Sequence, residues 1–514
     1  MRRDVSRLAR SVHDLLVVGG GVHGACVAWD AALRGLSVAL VERDDFGAAT
    51  SANSLRIVHG GLRYLARGDL TRMRESIEER STLLRIAPQL VEPLAVLVPT
   101  RGSGLEGRFA LGAAVTLNDL VSLTRNRHLA PPQRIPRSRL LSAKACRRLF
   151  PALEIRGVTG GVLWYDAQIR HPERLTLSFV LGAAERGACV ANYAQVERFL
   201  LEQGAVCGGR VLDRVSGESY DVRARRVVVA AGPWTDDLVA RATGAPPGRA
   251  SARQAIGLNL VVGRRLAEVA VGLRSATDAA DDPVGGGSRF LFLAPQGDTT
   301  LLGTWYAVSG EGDPRATIER GAAALMAEFN AICPSLRLSE SDVVRRQWGC
   351  LPLKSGLEGG RPDALAERPR LIDHAGGGAR NLFSVEGVKY TTARRVAEQT
   401  VDLVIRDLAL PDPGCRTAEV TLPTLPDGMS PAGTRMNEKE ILNAVRDEMA
   451  VTLADVVFRR TQLGTPPGPD RTAVTEVAHL AGQELGWDPV RQSAEVDDVM
   501  RQARLPVAAA VTVR

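Results

Sequence analysis

The residues that most plainly carry chemistry are glycines. Gly19-Gly20-Gly21-Val22-His23-Gly24 is a G-x-G-x-x-G run, a spacing that suits a dinucleotide: Gly19 permits a tight turn, Gly21 lets backbone approach a pyrophosphate, and Gly24 allows close helix packing. The helix opening there would offer amide N–H groups and its dipole to the phosphates. Glu42, closing the next apolar run, would accept the ribose hydroxyls. The fingerprint alone leaves NAD and FAD both open. Metal catalysis has no support, because no His, Cys, Asp or Glu cluster shows ligand spacing.

Such residues need elements to hold them. Asp14 to Val18 reads as a strand, Val22 to Arg34 as a helix and Ser37 to Val41 as a second strand, which together make a βαβ unit. Residues 72–87 and 173–188 have helical spacing, and Arg226 to Ala230 is a buried-strand run entering Gly232-Pro233. From about 250 to 350, short strands alternate with Gly-rich turns, including the loop Asp278 to Ser288, as expected of an antiparallel substrate-facing sheet. Residues 410–434 hold five prolines and mark a linker. Beyond it, Asn437 to Arg460 and Arg471 to Ala503 are helical in pattern.

The 514 residues suit two or three domains, and 45% hydrophobic with 24% charged residues is a globular composition. No apolar run reaches the roughly 18 residues of a membrane helix. Only four of the 65 basic residues are lysines, Lys144, Lys354, Lys389 and Lys439. An arginine excess spread along the whole chain is background, with mild affinity for anionic ligands or lipid surfaces, and not the clustered footprint of a nucleic-acid binder. Seven cysteines without a Cys-x-x-Cys pair, and no secretory apolar run, predict reduced thiols in the cytoplasm.

Further blocks decide between the cofactors. Thr50-Ser51-Ala52-Asn53-Ser54, His59-Gly60-Gly61-Leu62-Arg63-Tyr64-Leu65, Ala230-Ala231-Gly232-Pro233-Trp234 and Glu386-Gly387-Val388-Lys389-Tyr390-Thr391-Thr392 stand in that order. With Met449 to Thr452 and Arg459 to Thr461, they resemble FAD-dependent glycerol-3-phosphate dehydrogenases over nearly the whole chain. The resemblance implies an α/β fold with a glutathione-reductase-type, Rossmann-like FAD-binding domain, an antiparallel-sheet substrate or cap domain and a C-terminal α-helical domain. The body would span 1–430, with FAD-binding segments near 12–100, 150–250 and 345–410 and cap segments near 100–150 and 250–345; residues 431–514 would form the helical domain. FAD would be held by Gly19, Gly21, Gly24, Glu42, Thr50, Ser51, Ser54, Ala231, Gly232, Gly387 and Thr391, although Thr391 and Thr392 would look the same as caps of a helix.

For oxidation of a secondary alcohol, a base must take the hydroxyl proton, and His59 is the candidate; the alternative is a histidine that orients the glycine turn. Arg63 and Lys389 would meet a substrate phosphate, while Tyr64 either bonds that phosphate or packs. Electrons would pass to a membrane quinone or another acceptor such as oxygen, through peripheral contact with the inner face of the cytoplasmic membrane. The resemblance also admits a homodimer. The departures fall on the substrate side: Leu351 in Gly349-Cys350-Leu351-Pro352-Leu353 replaces an arginine of the family pattern, Trp305-Tyr306 replaces Thr-Asp, and Ala255-Ile256-Gly257 replaces Gly-Ser-His. Lys354 either compensates or is solvated.

Overall fold

The computed structural model describes residues 1–504 apart from 66–67, 103–106, 155–156, 245–253, 276–289, 310–313, 355–363, 367, 424–436 and 467. The expected loop Asp278 to Ser288 and the second half of the expected linker therefore lie outside the described residues. The chain divides into two compact units, Met1–Ala52 with His171–Ala255 and Gly349–Arg514, and Asn53–Arg170 with Ile256–Trp348. Residues 53–100 and 150–170, expected among the FAD-binding segments, thus fall in the second unit.

The first unit is built on a parallel sheet. His13–Val18 lies between Val38–Val41 and the second half of Ser219–Val229, with Cys189–Ala191 and Leu382–Glu386 outside them. Leu15, Leu16, Val17 and Val18 are all buried, so the strand reads as a continuous apolar run and not as an alternation. Helix Val22–Leu33 packs against Pro172–Glu185 and Ala393–Asp407, and the Trp29 and Phe179 rings meet at 5.3 Å. The expected strand Arg226 to Ala230 extends back to Ser219 because its first half pairs antiparallel with Ala205–Asp213. The described part of the linker is anchored at points along its length: Leu422 is buried, and Arg394 donates to Thr417 Oγ1 at 2.8 Å.

The C-terminal helices of this unit enclose a core of Ile441, Leu453, Val456, Val474, Val477, Val496 and Val499. Both helices expected there are interrupted. The first stops at Asp447 and restarts at Leu453 behind a reciprocal Thr452–Asp455 capping box. The second stops at Leu485, where Gly486 takes the left-handed conformation that favours glycine, and resumes at Pro489. Buried ion pairs fasten this core to the rest of the unit: Arg460 forks onto Asp45 at 2.5 and 2.8 Å, Arg459 Nε reaches Asp45 at 2.6 Å, and Arg174 forks onto Glu448.

Among the described residues, the second unit is a nine-stranded sheet whose spine is the long antiparallel pair Val91–Arg101 and Val158–Ile169. The expected antiparallel sheet proves to be mixed, because Ala270–Arg274 joins Val91–Arg101 in parallel. The 250–350 stretch also contains the 19-residue helix Pro314–Ile332, whose buried Ile318, Ala322, Leu325 and Phe329 recur at helical spacing.

Candidate active site

In the first unit, the loop after His13–Val18 forms a cradle that tolerates only glycine at two points. A Cβ on Gly19, which has φ +110°, would lie 2.6 Å from Ala230 O, and one on Gly24 would lie 1.9 Å from Gly19 O. Gly21 is the N-cap of Val22–Leu33, so the first-turn N–H groups, which no helical carbonyl can reach, face outward from the loop. Ser51 Oγ accepts from Val22 N–H at 3.0 Å. Glu42 closes the other side: its two oxygens accept from Gly20 N–H at 2.7 Å and Asp44 N–H at 2.9 Å. Burial pushes its carboxyl up to about 7 despite those two bonds. His23 faces the late loop so closely that a Cβ on Gly387 would sit 1.8 Å from its Nε2. That nitrogen is buried with no partner among the described residues, and burial pushes the imidazole down to about 4.

In the second unit, His59 is exposed at the end of the short strand Ile57–Val58. Its Nδ1 lies 3.1 Å from Asp166 Oδ2, and the Phe292 ring flanks it at 5.4 Å. Asp166 is buried, and its Oδ1 accepts from Gly60 N–H at 2.7 Å and Arg80 Nη1 at 3.1 Å. Burial alone would raise the Asp166 carboxyl, but His59, Arg80 and the Gly60 N–H outweigh it and hold it below the usual carboxylate range. A carboxylate can only accept, so this contact calls for the hydrogen on Nδ1.

Similarity to known proteins fits both assemblies. Residues 14–403 match the FAD dependent oxidoreductase family, and residues 418–492 match the C-terminal domain of alpha-glycerophosphate oxidase. The chain is 32% identical to a glycerol-3-phosphate dehydrogenase of Synechocystis over 432 residues, covering 82% of this chain and 75% of that protein. It is 30% identical to the aerobic glycerol-3-phosphate dehydrogenase of Staphylococcus aureus, over 78% of this chain and 68% of that one. The chain belongs to the FAD-dependent glycerol-3-phosphate dehydrogenase family. In fold it is similar to the glycerol-3-phosphate dehydrogenase of Bacillus halodurans complexed with FAD, at TM-score 0.69 and 24% identity over 97% of this chain and 96% of that one. It is also similar to the Mycoplasma pneumoniae L-alpha-glycerophosphate oxidase, at TM-score 0.53 and 15% identity over 80% and 100% of the two chains.

As a flavoenzyme of this family, the chain has a cradle whose chemistry suits FAD. The glycines leave room for a pyrophosphate, the helix N-terminus offers it donors, Glu42 stands at the strand end where ribose hydroxyls are taken, and the orphaned His23 Nε2 awaits a polar partner. Thr50 Oγ1 donates to Cys350 O at 2.8 Å, which ties the 50–54 block to the strand end carrying Leu351. Ala231 and Gly232 form the turn after Ser219–Val229, beside the cradle: Ala230 N–H donates to Val18 O at 2.8 Å. Gly387, Lys389 and the buried Thr391 lie on the loop between Leu382–Glu386 and Ala393–Asp407. Thr392 is the N-cap of that helix, yet its side chain makes no capping bond.

The remaining candidate residues lie on both units. Ser54 belongs to the second unit, where its Oγ accepts from Arg56 N–H at 3.3 Å and closes a local turn. The Tyr64 ring is buried with Met73 and Ile77 and faces the Arg72 guanidinium at 5.7 Å, a packing arrangement. Trp305 packs against helix Pro314–Ile332, where a Cβ on Gly321 would come within 2.5 Å of its ring. It therefore cannot share a face of its strand with its neighbour Tyr306. Lys354 is half-buried, its N–H donating to Ala364 O at 2.8 Å. Arg63 lies in the short helix Leu62–Leu65, and its side chain is outside the described set. Sequence reasoning missed Asp166 and Arg80. The available signal was a carboxylate inside the apolar run Val162-Leu163-Trp164-Tyr165-Asp166-Ala167, which requires a partner once buried.

Proposed function

We propose that the chain oxidises glycerol 3-phosphate, or a similar phosphorylated secondary alcohol, to the ketone. The observation that carries this reading is the exposed His59 imidazole whose Nδ1 is engaged by a buried carboxylate, in a chain of this family. His59 Nε2 takes the hydroxyl proton as the C–H bond is broken. Bound FAD supplies the hydride acceptor. Arg63 and Lys389 hold the phosphate, and the half-buried Leu351 leaves that anion one cation short of the family pattern.

The electron acceptor in this reading is a membrane quinone. Helix Arg108–Val121 and the turn after it expose Phe109 (88%), Leu120 (58%) and Leu123 (71%), and Arg127, Arg134, Arg137 and Arg139 in the segment that follows are exposed as well. Exposed apolar side chains on a helix, followed along the chain by exposed arginines, suit peripheral docking on an anionic bilayer. Among the described residues no helix is long and apolar enough to cross a membrane.

Anaerobic stopped-flow reduction of the flavin by glycerol 3-phosphate, glycerol and a panel of hydroxy acids tests the substrate. Glycerol 3-phosphate should bleach the flavin with a high KM. Reduction by a non-phosphorylated hydroxy acid alone would show a pocket rebuilt around Leu351.

A further inference from the structure

His59 acts as a base only if its outward nitrogen carries a lone pair, and the choice between its two tautomers is made inside the second unit. Three segments converge there: Asp166 from the strand Val158–Ile169, Arg80 from the helix Leu70–Ile86 and the His59-Gly60 turn. Asp166 is 4% exposed and Arg80 1%. Arg80 Nη1 bonds both Asp166 Oδ1 at 3.1 Å and Tyr165 O at 2.8 Å. A Cβ on Gly60 would stand 2.1 Å from Arg80 Nη1 and 3.1 Å from Asp166 Oδ1, so any larger residue in the turn would push the guanidinium away from the carboxylate. Arg125 and Asp119 act on Arg80 through space with opposite signs, and the ring nearest His59, Phe292, is uncharged.

We propose that Asp166 is the positioning residue of His59, fixing the Nδ1–H tautomer so that Nε2 is the free acceptor, and that Arg80 with the Gly60 N–H fixes Asp166. The inference rests on the reading of His59 as the base. Burial of an ionised carboxylate is costly, and here it is offset by three donors converging on two oxygens. The division of those donors makes the role specific. Among the described residues, Oδ1 receives two of them, Gly60 N–H and Arg80 Nη1, while Oδ2 receives only His59 Nδ1. In Asp166→Asn the single carbonyl oxygen must stay with the two donors, so the amide NH2 turns to His59. An NH2 facing Nδ1 requires a lone pair there and moves the hydrogen to Nε2. The variant would keep the shape and lose the base.

Histidine-selective 15N NMR of the FAD-loaded enzyme, with the His59 signal assigned by its loss in His59→Gln, reads the tautomer directly. The wild type should show neutral His59 with hydrogen on Nδ1. Asp166→Asn should swap the hydrogen to Nε2, retain FAD, and slow anaerobic flavin reduction by roughly 10²- to 10⁴-fold. A wild type with hydrogen on Nε2 overturns the proposal, and because it needs no variant it decides even if Asp166→Asn does not fold. So does an Asp166→Asn enzyme that keeps the wild-type tautomer, or one that reduces its flavin at the wild-type rate. If His59→Gln itself reduces the flavin at full rate, the reading of His59 as base fails while the tautomer result stands on its own.

Discussion

Replacing Gly24 by alanine perturbs the cradle at its narrowest point. The added methyl would lie 1.9 Å from Gly19 O and 3.1 Å from Gly19 C, both backbone atoms, and 3.4 Å from the Ala230 methyl. Real Cβ contacts essentially never fall under 3.0 Å, so helix and loop must separate by at least 1.1 Å. The carbonyl that blocks the methyl belongs to the turn that presents Gly20 and Gly21, so relief comes by opening the surface that holds the pyrophosphate. Overpacking of this kind costs about 1 to 3 kcal/mol. If that strain is relieved by opening the cradle, it appears as a loss of FAD affinity of roughly 5- to 150-fold. Helix Val22–Leu33 is otherwise held by its packing on Pro172–Glu185 and Ala393–Asp407, so the variant should still fold. Titration of apoprotein with FAD, followed by flavin fluorescence, measures the Kd, and thermal unfolding without FAD reports the fold. A variant that purifies fully yellow with a Kd within twofold of wild type would refute the reasoning.

Three other outcomes follow from the same geometry. His59→Gln should bind FAD normally and slow flavin reduction by roughly 10²- to 10⁴-fold, read by stopped flow. Leu351→Arg should lower the KM for glycerol 3-phosphate by roughly 10-fold or more, since a hydrogen bond to a charged group contributes about 1.5 to 3 kcal/mol; an unchanged KM would remove Leu351 from the anion site. Asp45→Asn leaves the buried Arg460 without its carboxylate and Arg459 with Asp455 alone, and should destabilise the protein by about 3 to 5 kcal/mol at pH 7, read as a lowered Tm. Burial alone would raise the Asp45 carboxyl, but Arg460 and Arg459 hold it well below the usual range, so its contribution is present above about pH 4 and is lost as pH falls towards its folded pKa. The gap between wild type and Asp45→Asn should therefore narrow below about pH 4.

What was legible in the sequence was local. The fingerprint, its strand and its helix occupy adjacent residues, and each glycine has a steric reason that spacing alone conveys. The parallel sheet was legible for a similar reason, because strands covered on both faces are written as apolar runs. The interrupted C-terminal helices were misread where periodicity carries across a stop: Gly486 and Pro489 were both visible, but the apolar spacing on either side continued through them. The parallel partner of Ala270–Arg274 could not be read at all, since nothing in a strand names the distant strand it joins.

The His59 assembly shows the same limit on the scale of a single hydrogen bond. His59 and Asp166 are 107 residues apart and Arg80 and Asp166 are 86 apart, so spacing could not join them. Arg80 was further concealed by an arginine-rich chain, where one more guanidinium carries no information. Burial is what distinguishes it. An exposed arginine is solvated and interchangeable, whereas one with 1% exposure stands only where an anion meets it, and that anion is the carboxylate on which His59 rests. The glycine after His59 then has a reason of its own: it is the residue that lets the guanidinium reach the carboxylate beneath the imidazole. A block that the sequence offered as a turn with a histidine is, in three dimensions, the outer edge of a buried ion pair.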